Sequence, residues 1–127
     1  MALTKVGSHP SHGGQVVFNA TASFTLDPSD SGKTFILKDA AVTVTLPTLS
    51  TNLAGFQINL ISGDDSEHIL SGGASKIYAI VVQTTATTRT AAASTLTLSA
   101  GEIGDTMKVS TDGTNWYVQC LGNAAAS

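Results

Sequence analysis

Apolar and polar residues alternate with a period of two along most of this chain. Val42, Val44 and Leu46 alternate with Thr43 and Thr45, and Phe56, Ile58 and Leu60 with Gln57 and Asn59. Leu96 and Leu98 alternate with Thr95 and Thr97, and Met107 and Val109 flank Lys108. Successive side chains of a strand point to opposite faces, so each set predicts a strand with one apolar and one polar side. Three runs break the alternation: Val16-Val17-Phe18, Phe35-Ile36-Leu37 and Ile77 to Val82. These read as strands buried on both faces, or as strands whose outer face meets a partner. No segment carries a 3.6-residue period, although Leu49 to Ala54 is long enough for one helical turn. The pattern predicts strands at 15–19, 22–26, 33–38, 41–46, 55–62, 67–71, 76–84, 94–99, 105–111 and 115–121.

The residues between these runs are turn formers. Asp27 to Gly32 and Ser62 to Asp65 have turn chemistry, and Thr111-Asp112-Gly113-Thr114-Asn115 predicts a hairpin with glycine at the positive-φ position. Pro47, which has no N–H, ends the Val-Thr-Val-Thr-Leu run. Short strands at roughly ten-residue spacing imply an all-β, single-domain β-sandwich or barrel, with a jelly-roll sandwich as the natural eight-strand form. Residues 1–14, with Gly7, Pro10, Gly13 and Gly14, read as an extended N-terminal arm, 15–121 as the sandwich, and 122–127 as a short frayed tail.

Composition strengthens the β reading and removes several functions. Charged residues make up 12% of the chain, about half the usual share, while Thr (18), Ser (14), Ala (16) and Gly (12) fill close to half of the 127 positions. Thr suits a pleated, half-buried surface, whereas the Glu, Lys and Arg that cover helices are scarce. The net charge is −3 and the five Lys are scattered, so no basic face awaits a phosphate backbone and nucleic-acid binding is not expected. No apolar run approaches a membrane span and the first residues carry no leader pattern, so a soluble protein made in the cytosol is expected.

The candidate chemical motifs each fail a specific test. Gly32-Lys33-Thr34 has the end of a phosphate-binding loop, but that motif needs glycine where Asp27 stands. His9 and His12 have neither a helix to align them nor a third ligand nearby, and His68 is expected at the surface or rim. Asp64, Asp65 and Glu67 do not have the spacing of a calcium loop. Cys120 is alone and reads as a small buried hydrophobe. Asn19-Ala20-Thr21 fits a glycosylation acceptor but has no secretory context. No catalytic residue, cofactor or metal is therefore assigned. In the strand containing Trp116 and Tyr117 the two rings must face opposite ways; Trp116 is placed inside with Val118 and Cys120, and Tyr117 outside.

Taken together, Asp30-Ser31-Gly32-Lys33-Thr34-Phe35, Thr43-Val44-Thr45-Leu46-Pro47 and Ala54-Gly55-Phe56, followed by Gly104-Asp105 and Asp112-Gly113-Thr114-Asn115-Trp116-Tyr117-Val118, resemble small virion proteins of tailed bacteriophages. The likeness is greatest to capsid decoration, or cement, proteins, and modules of tail fibres share the same motifs. The opening Met-Ala-Leu-Thr-Lys-Val also resembles the start of many phage virion proteins.

The resemblance implies a β-sandwich or jelly-roll subunit, a homotrimer, on the outer capsid surface of a virion, synthesised in the bacterial cytoplasm. Its partner would be the major capsid protein, whose subunits it bridges on the expanded head, with neither enzymatic activity nor membrane contact. The alternative it leaves open is a structural or receptor-binding module of the tail; a single domain of this length favours the head. On this reading Leu3, Lys5, Val6, His9, Pro10 and His12 belong to a capsid-binding arm that pairs with an exposed strand edge. Ile77, Tyr78, Ile80, Val82 and Tyr117 would form the subunit interface.

Overall fold

The computed structural model describes residues 3–8, 16–83, 86–99 and 103–127, with the backbone alone for 4–8. Among the described residues thirteen strands form two sheets packed face to face, the β-sandwich that the alternation predicts. The strands are β1 (Leu3–Ser8), β2 (Val16–Ala20), β3 (Phe24–Thr25), β4 (Thr34–Leu37), β5 (Thr43–Thr45), β6 (Gln57–Ser62), β7 (His68–Ser71), β8 (Ile77–Val82), β9 (Thr87–Ala93), β10 (Thr95–Leu98), β11 (Thr106–Thr111), β12 (Trp116–Leu121) and β13 (Ala124–Ala126). The large sheet has the order β1-β2-β4-β6-β11-β12-β8-β9 and the small one β13-β10-β7-β5-β3.

From β2 to β8 the chain passes from one sheet to the other at every strand, so strands of the same sheet stack in the same direction. The pairs β2–β4 and β4–β6 in the large sheet, and β3–β5 and β5–β7 in the small one, are all parallel. This winding differs from the antiparallel Greek keys of a jelly roll. A parallel pair needs a crossover, and here each crossover is itself a strand of the opposite sheet. The β11–β12 hairpin then enters between β6 and β8, antiparallel to β6 and parallel to β8.

The core lies between the inner faces. One register row of the large sheet runs Phe18, Phe35, Leu60, Met107, Cys120, Val81. Facing it, the small sheet contributes the row Phe24, Val44, Leu70, Leu96. Trp116 is fully buried as expected and meets Phe56 edge-on at 5.7 Å, while Val118 and Cys120 point inward beside it. The outer face of the small sheet is covered by hydroxyls: Thr25, Thr45, Ser71 and Thr95 form one row.

Three strands depart from the sequence reading. Leu3–Ser8, expected in a free arm, pairs antiparallel with β2, and Leu3 packs against the core. The tail also does not fray: β13 pairs with β10, and the Ser127 carbonyl accepts from the N–H groups of Ser94 and Thr95. β9 was not foreseen in Thr87–Ala93, whose side chains are exposed on both faces apart from half-buried Thr90 and buried Ala93, so they leave no alternation to read. The predicted turns are in place. Pro28–Asp30 and Thr51–Leu53 are short 3-10 turns, and the first is capped by Asp27 and Asp30 through reciprocal hydrogen bonds.

Candidate functional site

A sheet in a two-layer sandwich needs one apolar face, and the large sheet carries large apolar side chains on the other face too, interspersed with polar ones. Its outward side chains lie in three register rows. The first is Gln57, Ser110, Tyr117, Tyr78. The second is Val17, Thr34, Asn59, Lys108, Gln119, Ile80, Arg89. The third is Asn19, Ile36, Ile61, Thr106, Leu121, Val82, Thr87. Exposure of Tyr78 (38%), Val82 (41%), Tyr117 (42%) and Leu121 (61%) shows that nothing in the described chain covers this face at β8 and β12, whereas Thr34 on β4 is buried. Scattered surface hydrophobes are ordinary, but a contiguous group of this kind marks a contact surface.

The face is concave. Two depressions of about 710 and 790 Å³ lie on it and adjoin, with Ile80, Lys108 and Gln119 lining both. The first holds the Tyr78 and Tyr117 rings, 6.3 Å apart, and the second is bounded by Val17, Ile36, Ile61, Val82 and Leu121. Their charged residues are Lys108 and Arg89, and none of the lining residues is acidic. Among the described residues the ion pair between formally charged side chains is Lys33–Asp30, so neither cation on the face has an ionic partner there.

The hairpin at one end of the face holds Tyr117 in place. The Asp112 carboxylate accepts from the N–H groups of Thr114 (2.9 Å) and Asn115 (3.0 Å) and, through its other oxygen, from the Tyr117 hydroxyl (3.1 Å). The N–H groups of Asn115 and Thr114 together with that hydroxyl outweigh desolvation and hold the Asp112 carboxyl below the usual carboxylate range. Across the loop, Thr111 Oγ1 accepts from Gly113 N–H and donates to the Asn115 carbonyl.

The candidate chemical groups of the sequence occupy structural positions. His68 is not at the rim: it is in phase with Leu70 on β7, and its ring is buried opposite Leu98. Burial is tolerated because both ring nitrogens are satisfied. Nδ1 accepts from Val42 N–H (3.2 Å), which leaves Nε2 to carry the proton and donate to Asp64 Oδ1 (2.9 Å). Burial raises the Asp64 carboxyl, but the Ser66 N–H, the His68 ring and the Asp39 N–H outweigh it and hold it below its ordinary range. Asp64 is thus engaged inside the protein, and among the described residues no three metal-ligating side chains converge.

Cys120 is buried, and loss of hydration, with the Asp105 carboxylate adding to it, pushes its thiol up to about 11. The thiolate is the reactive form, so an aromatic disulfide reagent is expected to leave the folded protein unlabelled at neutral pH. In denaturant it should label one thiol per chain. Rapid labelling of the native protein would contradict this placement.

Of the expected interface residues, Tyr78, Ile80, Val82 and Tyr117 all lie on the open face. Ile77 does not: strand alternation turns it inward, where it is fully buried in the core. Within the expected arm, Leu3, Lys5 and Val6 belong to β1, while His9, Pro10 and His12 fall outside the described residues. Sequence reasoning missed Val17, Ile36, Ile61 and Leu121, and the two cations beside them. The unbroken Val16–Phe18 and Phe35–Leu37 runs were the signal for two of the four.

Fold and face together define a two-sheet, mixed β-sandwich whose large sheet, among the described residues, exposes apolar side chains of β8 and β12 on its outer side. Among known proteins, no family model and no curated protein matches this chain.

Proposed function

We propose that this protein is a virion assembly component of the tailed-phage type, a capsid decoration protein that docks on the outer surface of the expanded head and bridges capsid subunits. One observation carries the reading: the outer face of the large sheet presents Tyr78, Val82, Tyr117 and Leu121 to solvent, an arrangement suited to burial against another protein. The motifs shared with phage virion proteins support the same reading, as does a surface with few charges to desolvate on docking. The subunits act as a homotrimer, and each contact is modest because many copies share one lattice. Among the described residues β1 is an edge strand of the large sheet, a position suited to strand addition.

Co-sedimentation with expanded heads lacking the protein tests this reading, alongside light scattering of the free protein. A trimer that sediments with expanded heads and raises their resistance to heat is expected. A monomer that leaves heads in the pellet alone would end the decoration reading, and retention on host cells with competition for infection would point to a tail module instead.

A further inference from the structure

We infer that the Asp112-Gly113 peptide bond is a latent site of spontaneous backbone modification, succinimide formation leading to isoaspartate, and that the fold holds it shut through the bonds the Asp112 carboxylate makes with the hairpin and with Tyr117. Aspartate followed by glycine is the sequence most open to this reaction, because no side chain on the second residue shields its nitrogen. The chain has one such pair and no Asn-Gly, and the pair falls at the exposed tip of the β11–β12 hairpin.

In the reaction the Gly113 nitrogen attacks Asp112 Cγ. The new C–N bond closes a five-membered ring, and the carboxyl OH leaves with the proton of the nitrogen as water. A second water then opens the ring at either carbonyl. Opening at the former main-chain carbonyl routes the backbone through Cγ, which adds one methylene to it and leaves the α-carboxyl free. The water expelled in the first step equals the water consumed in the second, so no other reactant is needed. The modification consumes the carboxylate that holds Tyr117.

The hairpin opposes each part of this chemistry. The attacking Gly113 N–H is engaged, donating to Thr111 Oγ1 at 2.9 Å. Asp112 Oδ1 accepts from the N–H groups of Thr114 and Asn115, and Oδ2 accepts from the Tyr117 hydroxyl, so swinging Cγ onto the Gly113 nitrogen breaks these bonds. They also hold the carboxyl ionised, and a carboxylate is attacked less readily than the acid. Gly113 is buried so close to the Ser50 carbonyl that even a Cβ would lie 2.6 Å from its oxygen, which leaves the backbone little room to turn. Reaction therefore proceeds from an opened hairpin, at a rate set by the population of that state.

Peptide mapping reads the site directly. No Lys or Arg follows Lys108, so trypsin releases residues 109–127 as one peptide, in which Asp112 is the sole aspartate. Endoproteinase Asp-N cuts that peptide before Asp112 while the residue is α-linked and leaves the isoaspartyl form intact. Isomerisation does not change the mass, whereas deamidation of Asn115 or Asn123 does. At neutral pH and physiological temperature, folded wild-type protein is expected to accumulate isoaspartate at least about tenfold more slowly than the same protein in urea. Equal rates would overturn the proposal, and this comparison uses unaltered protein, so it stands whatever a substitution does to folding. Tyr117→Phe keeps the ring, removes the hydroxyl, and should raise the folded rate about fivefold. Gly73→Ala, which strains the turn between β7 and β8 instead, should leave the folded rate at the wild-type value. A Tyr117→Phe rate equal to wild type, or matched by Gly73→Ala, would overturn the role of the Tyr117 bond.

Discussion

Replacing Gly113 by alanine is expected to destabilise the fold by about 3 kcal/mol or more, the sum of two costs that single-glycine changes seldom combine. Gly113 has φ +92°, a left-handed conformation in which a side chain is strained by roughly 1–2 kcal/mol. A Cβ built there would also lie 2.6 Å from the Ser50 carbonyl oxygen, and that neighbour is backbone, which cannot rotate away as a side chain would. The β11–β12 hairpin is packed against the Thr51–Leu53 turn, so relieving the clash means separating the two segments or giving up the Gly113 N–H bond to Thr111. Gly73 supplies the control. It has φ +81° with nothing within 4 Å of the added carbon, so Gly73→Ala should show the conformational cost alone. Urea unfolding of the two variants measures the difference; equal losses would show that the contact with Ser50 carries no weight.

Truncating His68 to alanine is the second large effect, with an expected loss of about 2–4 kcal/mol. The variant leaves a cavity inside the small sheet and strips Val42 N–H of its acceptor, and a buried unpaired N–H is costly. Two conservative variants separate the bonds. His68→Asn can place its carbonyl oxygen where Nδ1 was and restore the acceptor for Val42, but its amide is too short to reach Asp64. His68→Gln reaches Asp64 and loses Val42. Asparagine should therefore recover more stability than glutamine, because the Val42 group is buried backbone and the Asp64 carboxylate is partly solvated. The reverse order would mean that the bond to the Asp64 carboxylate, not the backbone acceptor, dominates.

The same site sets a direction for pH. The folded-state pKa of Asp64 is depressed, so its contribution is present at neutral pH and lost as pH falls through about 4 and then through the folded value. Asp112 behaves likewise, and its protonation would release the clasp on Tyr117.

Why some of this was legible in the sequence follows from what alternation encodes. It records which side of a strand is buried, so Val42 to Leu46, Phe56 to Leu60 and Trp116 to Cys120 announced both their strands and their inner faces. Alternation does not encode partners or direction, so the parallel winding of β2 to β7 was invisible. Strands without a buried side leave no trace, as in the Thr and Ala of β9, and a three-residue alanine strand such as β13 has no polar position to contrast. His68 was misplaced because its type outweighed its phase: it stands two residues before Leu70, and it is the paired Val42 and Asp64 that make burial possible. The open face was half legible. Unbroken runs flagged Val17, Ile36 and Ile80, but Ile61, Leu121 and Lys108 join them only when register places strands far apart in the chain side by side.

The insertion of the β11–β12 hairpin between β6 and β8 also has an order in time. A ribosome delivers residues 57–82 well before 106–121, so β6 and β8 emerge with no partner between them and their backbone edges open. The centre of the large sheet closes only when residues 106–121 arrive, a long-range step that is intrinsically slow. Until then the nascent chain carries two unpaired edges flanked by apolar runs, and truncation before Thr106 would leave them permanently available for association with other chains.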